Sequence, residues 1–238
     1  MSKLQSQAVP ADAIPFRKAA PQGRAKPAFA PYAQSPLHDF GLPARAVPQH
    51  DGLGVWLNEL PHLGYIVVCG AAADPAFRQA ARAALDIELP TRPGSFAPFP
   101  QGLALWQAPD EWLLVCARPA RPAYQGELEA ALRGQHAQVV DNSGGLTTVY
   151  LSGRKHVELL RHVGVYDFES LGPGEVVSTM CGKAGITVYR HDAHGIFVIF
   201  RRSFADYLWR LFEKAARPYG LGIAELAHRA SHPVLRLL

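Results

Sequence analysis

Apolar and polar positions along this chain switch between a period near two and a period near 3.6, and the switches mark its elements. The clearest stretch is 186–216. Ile186-Thr187-Val188-Tyr189 is rich in β-formers, and Asp192-Ala193-His194-Gly195 supplies turn residues. Ile196-Phe197-Val198-Ile199-Phe200 is apolar on both faces, as a strand covered on both sides is. Ser203 then stands where a helix N-cap oxygen is needed, with Asp206 three residues on. Phe204, Tyr207, Leu208, Leu211 and Phe212 follow the spacing of one buried face. The pattern predicts a hairpin followed by a helix over 203–216.

The same order occurs earlier. Tyr65-Ile66-Val67-Val68-Cys69 reads as a strand, and Asp74 as the cap of a helix reaching Leu85. Leu103–Trp106 and Trp112–Cys116 read as strands around Ala108-Pro109-Asp110-Glu111, with a helix over 122–133. In the second half Thr147–Leu151 is a strand, and Arg154–Val163 a helix ahead of the hairpin. Corresponding strands lie about 82 residues apart. Each half is strand-helix-strand-strand-helix, the order of a split βαβ unit. The predicted fold class is α+β: two related halves, residues 35–140 and 141–216, joined near Asp141.

Both ends differ from this body. Residues 1–34 are rich in Pro and Ala and lack apolar periodicity, so they predict an extended arm. The arm is either a solvated tail or a segment ordered along a partner, with Phe16, Phe29 and Tyr32 as its anchors. Pro218 and Gly220 end the last helix, and 217–238 form an apolar tail with a short helix over Ile223–Ala230. Val234, Leu235, Leu237 and Leu238 either dock on the body or meet another subunit.

Composition narrows the classes. With 238 residues and 48% hydrophobic content the chain can bury a sizeable core. No apolar run reaches the roughly 20 residues of a membrane helix, and no signal-peptide core opens the chain, so the expected compartment is the cytoplasm. Cys69, Cys116 and Cys181 lie far apart and read as free thiols. The net charge is +4, and residues 1–34 carry Lys3, Arg17, Lys18, Arg24 and Lys26 against Asp12. The body is therefore neutral and has no electrostatic case for nucleic acid.

Candidate chemistry is sparse. None of the ten histidines falls in an H-E-x-x-H motif, and His156 and His162 face different sides of their helix. His191 and His194 bracket a turn. Asp141-Asn142-Ser143-Gly144-Gly145 could present backbone N–H groups to an anion, or it could link the halves. It lacks the Lys-Ser/Thr of a P-loop, and Ser143 lacks a nucleophile elbow. Leu171–Glu175 reads as a turn. Catalytic, cofactor and metal residues are expected to be absent from this chain. Trp209 lies roughly 130° from the centre of the predicted helix stripe at 100° per residue, and so either flanks the core or meets a partner. It joins Phe16, Phe29 and Tyr32 as an interface candidate.

Several segments together resemble the gamma subunit of heterotetrameric sarcosine oxidase. They are Ser35-Pro36-Leu37, Gly64–Val68, Leu105–Leu114 with its Pro109-Asp110-Glu111-Trp112 hairpin, Leu151-Ser152-Gly153, Gly182-Lys183-Ala184, and Arg201-Arg202-Ser203-Phe204-Ala205-Asp206-Tyr207-Leu208. The resemblance spans about 35–216. Residues 138–212 also resemble the aminomethyltransferase folate-binding module, through Asp141 and Ser143, a strand ending in Gly153, and Pro173-Gly174. That family's acidic residues ahead of the hairpin are missing from Cys181-Gly182-Lys183-Ala184-Gly185, and its His is replaced by Gly144. The resemblance implies a non-catalytic subunit in an oxidase that demethylates a secondary N-methyl amine such as sarcosine. It implies alpha, beta and delta partner chains, with FAD, FMN, NAD, tetrahydrofolate and zinc held elsewhere than here. A subunit of an N-methylglutamate dehydrogenase and a free-standing folate or one-carbon binding protein are the alternatives.

Overall fold

The computed structural model of the chain describes residues 34–226 and 234–237. The elements run α1 (Leu42–Arg45), β1 (Ala46–Val47), β2 (Val55–Leu60), β3 (Gly64–Gly70), α2 (Pro75–Leu85), β4 (Phe96–Phe99), β5 (Gly102–Ala108), β6 (Glu111–Cys116) and α3 (Arg121–Ala131). They continue with β7 (Ala137–Asp141), β8 (Leu146–Ser152), α4 (His156–Val163), β9 (Glu175–Cys181), β10 (Ala184–Asp192), β11 (Gly195–Arg201), α5 (Ala205–Ala216) and β12 (Leu221–Ala224). The strands form two sheets, ordered β1-β12-β2-β8-β11-β10-β9 and β4-β5-β6-β3-β7. One face of each sheet carries its own helices. The other faces meet over Leu63, Tyr65, Leu105 and Val115 from one sheet and Tyr150, Tyr189, Phe197 and Ile199 from the other.

The internal repeat is more complete than its sequence pattern. Val55 and Ala137, Gly64 and Leu146, and Gly102 and Ala184 each begin corresponding strands 82 residues apart. The leading strand of each repeat pairs with the other repeat: β2 lies antiparallel to β8, and β7 antiparallel to β3. This exchange ties the halves together. The strands within 46–60, ahead of the link 142–145, and the strand 221–224 join the same sheet as β8 to β11.

Local chemistry explains most ends. Asp74 Oδ1 accepts the Ala76 N–H at 2.9 Å, with Pro75 opening α2, as its cap position requires. Asp86, in the left-handed region at φ 57°, closes that helix. Helix α5 starts differently from the expectation. A 3-10 turn over Arg202–Phe204 precedes it, Ser203 caps nothing, and Asp206 binds Arg210 one turn on at 3.0 Å.

The buried face of α5 is also rotated. Ala205, Leu208, Trp209, Phe212 and Ala216 are buried, about 90° from the predicted stripe at 100° per residue, while Tyr207 turns outward. Two causes combine. The alanines carry little hydrophobic signal, yet they let the helix approach the sheet closely. The segment 38–45 covers the opposite flank: Phe40 lies 5.9 Å from Trp209, Arg210 sits over the Phe40 ring at 5.2 Å, and Arg45 meets Glu213 at 3.3 Å.

The tail docks on the body. Residues 221–224 form a strand parallel to β2 and clasped by Asn58, so Ile223 and Ala224 are extended where a helix was expected to begin; residues 227–230 of that expected helix lie outside the described residues. Asn58 Nδ2 donates to Ala224 O at 2.6 Å, and Ala224 N–H donates to Asn58 Oδ1 at 3.3 Å. Val234 and Leu235 are buried in the inter-sheet core.

Candidate functional site

The interface candidates fare unequally. Phe16, Phe29 and Tyr32 lie outside the described residues. Trp209 is wholly buried within the core of its sheet and is therefore a packing residue and not an exposed anchor. Sequence reasoning placed it off the helix face because the covering segment 38–45 is remote in sequence.

The two motifs that carry the family resemblance act as staples. Arg202 N–H donates to Gly145 O at 2.9 Å, and its guanidinium reaches Gly144 O at 3.4 Å and Gln34 O at 3.5 Å. The start of α5, the inter-sheet link and residue 34 are thereby held together. In the Pro109-Asp110-Glu111-Trp112 hairpin, Asp110 O accepts from Gly70 N–H at 2.9 Å. Trp112 Nε1 donates to Pro90 O at 2.7 Å, and its ring stacks on Phe77 at 5.5 Å.

The Asp141–Gly145 loop is occupied in the same way. Asp141 Oδ1 accepts from Ser143 N–H at 2.9 Å and its other oxygen pairs with Arg121, while Ser143 Oγ accepts from Tyr65 N–H at 2.9 Å. Partial burial raises the Asp141 pKa, but the Ser143 bonds and Arg121 outweigh it and hold the carboxyl below its usual range. These atoms serve the link between the halves, which decides against an anion site there.

The perturbed groups are held in unreactive forms. Burial pushes the Cys116 and Cys181 thiols up to about 12, and raises the Tyr65 and Tyr189 phenols. A thiol with that pKa is almost wholly protonated near neutrality and is a poor nucleophile or ligand. Burial lowers the pKa of His156, whose Nδ1 lies 2.5 Å from Gly153 O, so the ring is neutral and donates to that carbonyl. Glu59 is pushed up by burial, against the lowering effect of hydroxyl bonds from Ser35 and Thr147. It clamps the segment entering the body at residue 35. Among the described residues no group of three or more His, Cys, Asp or Glu side chains is placed to hold a metal ion.

One surface feature stands apart from these structural roles. The sheets diverge at one end and leave a cleft of about 520 Å³. Met180, Gly185, Ile199 and Arg201 line one wall and Val67, Gln107 and Leu113 the other. Ser178 and Thr187 both donate to Gln107 Oε1, at 3.1 and 3.0 Å, and so brace the two walls at the closed end. Met180 at one lip is 43% exposed, and Val140, paired with Val67 at the other, is 49% exposed. No sequence signal could have found this cleft, because its walls come from both repeats.

Comparison with known proteins places the chain. The model of the sarcosine oxidase, gamma subunit family matches residues 69–217. The chain belongs to that family. It is 29% identical over 153 residues to the sarcosine oxidase subunit gamma of an Arthrobacter species, covering 62% of this chain and 74% of the relative. A chain of the heterotetrameric sarcosine oxidase from Corynebacterium sp. U-96, solved in complex with pyrrole 2-carboxylate, superposes with a TM-score of 0.70 at 22% identity. That match covers 82% of this chain and 98% of the other. The aminomethyltransferase T of the glycine cleavage system from Bartonella henselae superposes at 0.60 with 15% identity, over 79% of this chain and 58% of the other. The α+β class and the kinship with both folds agree with the sequence reading. The turn that would need folate-handling acids holds Gly182, at φ 53°, and Lys183, whose N–H donates to Tyr207 Oη at 3.1 Å. These residues do not fit a folate site of the aminomethyltransferase kind.

Proposed function

We propose that this chain is the non-catalytic gamma subunit of a heterotetrameric sarcosine oxidase-type complex in the cytoplasm. Its partners are alpha, beta and delta chains that carry FAD, FMN, NAD, tetrahydrofolate and zinc. The complex oxidises the N-methyl group of a secondary amine such as sarcosine, leaving glycine and hydrogen peroxide and releasing the carbon as formaldehyde or methylene-tetrahydrofolate. Membership of the gamma family over residues 69–217 carries this reading. The chemistry of the body supports it: the thiols are protonated, His156 is neutral and bonded to a carbonyl, and the ionised Asp141 is paired with Arg121. Such a body contributes shape and contacts.

The test is sarcosine-dependent peroxide production, measured on the complex captured through a tag on this chain and on the chain alone. Turnover in the captured complex and none in the chain alone is the expected result. Turnover by the isolated chain would refute the reading.

A further inference from the structure

We propose that the cleft between the diverging sheets receives an extended segment of a larger subunit, whose backbone crosses β10 over Gly185 and whose acidic side chain meets Arg201. The proposal rests on the reading of this chain as an assembly subunit.

Gly185 is the observation that points to a bound backbone. It lies inside β10, paired with Met180 of β9, where glycine weakens a strand by leaving more freedom to lose and nothing to pack. Its own backbone does not need glycine, since it is not among the positive-φ residues. Space does not require it either, because an added Cβ would meet only Met180 Sδ, at 4.0 Å. Other strand glycines have local reasons. At Gly102 a Cβ would fall 2.3 Å from Val115 O, and at Gly195 it would fall 2.5 Å from Leu151 O. The bare floor at Gly185 has no such cause within the described residues, and close approach of another main chain is a recognised use of a strand glycine.

The surroundings define what lies there. Met180 exposes apolar surface at one lip, Val140 exposes more beside its cross-strand partner Val67, and the half-buried Val67 and the buried Leu113 continue that surface inward. Thr187 stands two residues along the floor from Gly185, roughly 7 Å by strand rise, and donates across the cleft to Gln107 Oε1 on the opposite wall. Arg201 follows Phe200, which pairs with Ile186, and so stands beside Gly185 at the open end. It is exposed, and its guanidinium makes no ion pair or hydrogen bond among the described residues. Glu111 stands on the opposite wall, which sets the polarity of the occupant: acidic toward Arg201, basic or amide toward Glu111. A main chain with alternating apolar side chains matches this combination of bare floor, apolar lips and end charges.

The experiment uses the complex captured through a tag on this chain, with wild type beside Gly185→Leu, Arg201→Glu, Arg201→Lys and Gly126→Leu. Gly126 is also exposed, with open space around it, but sits on α3 away from the cleft. Recovery of the flavin-bearing chains should fall at least tenfold for Gly185→Leu and Arg201→Glu. It should be largely kept for Arg201→Lys and unchanged for Gly126→Leu, with the melting temperature of each free chain at or above wild type. A photo-crosslinker at position 180 should join a peptide of a flavin-bearing chain. Normal recovery in Gly185→Leu overturns the cleft proposal while leaving the subunit reading intact. A cross-link to residues of this same chain or of a second copy overturns it too, as does saturable tetrahydrofolate binding that Gly185→Leu abolishes. If wild type captures no flavin-bearing chain, the subunit reading itself fails.

Discussion

Replacing Trp209 by alanine separates packing from partner contact. The indole is fully buried, lies against Phe40 at 5.9 Å and shares its core with Leu208 and Phe212. Truncating a buried aromatic of this size costs about 3–5 kcal/mol through lost transfer energy and the void left behind. Total stabilities run to about 5–15 kcal/mol, so roughly a fifth or more of the fold's margin is at stake. The indole Nε1 has no hydrogen-bond partner, so no bond is lost with the ring. Trp209→Phe should therefore cost less, about 1–2 kcal/mol. A cycle with Phe40→Ala should reveal a coupling of about 1 kcal/mol between the two rings. Urea unfolding of the full chain, followed by far-ultraviolet circular dichroism, reads these differences. With a slope of about 2–3 kcal/mol per molar, Trp209→Ala should lower the midpoint by about 1–2 M. A midpoint within about 0.3 M of wild type, together with failed assembly, would refute the packing role and return Trp209 to the surface.

Glu59 supplies a pH prediction. Burial raises its folded pKa above the unfolded value near 4.5, so the folded state holds the proton more tightly. That contribution is full below the unfolded pKa and is lost as pH rises through the folded one. As pH rises above the unfolded value near 4.5, Glu59→Gln should gain stability relative to wild type; a constant difference contradicts the sign. Gly185→Ala should stabilise the free chain by about 0.5–1 kcal/mol, whereas Gly102→Ala should lower the urea midpoint sharply because its Cβ meets backbone. Equal effects at the two glycines would undo the argument from empty space. Iodoacetamide at about pH 8 should label Cys69 first, since Cys116 and Cys181 are buried and their thiols lie near 12. Rapid labelling of all three without urea would contradict their placement.

Legibility in the sequence followed the range of the interactions. The hairpin β10–β11 and the cap at Asp74 depend on neighbours within a few residues, and the pattern predicts both. The strand β2 does not announce itself, because Asn58 and Glu59 interrupt its apolar run. Their partners, Ala224 and Thr147, lie 166 and 88 residues away. The segment Ile223-Ala224-Glu225-Leu226 has helical composition, and β2 draws its first residues into the sheet. The phase of α5 was misread because Phe40 covers it from outside the helix. For the cleft the loss is total, since a glycine without a side chain, on one repeat, faces Gln107 on the other.

The account depends on this chain meeting flavin-bearing neighbours, and native mass spectrometry of the assembly captured through it tests that most directly. The predicted spectrum holds one copy of this chain with larger flavin-containing chains in a heterotetramer. A spectrum of the chain alone, or of copies of itself, would contradict the account.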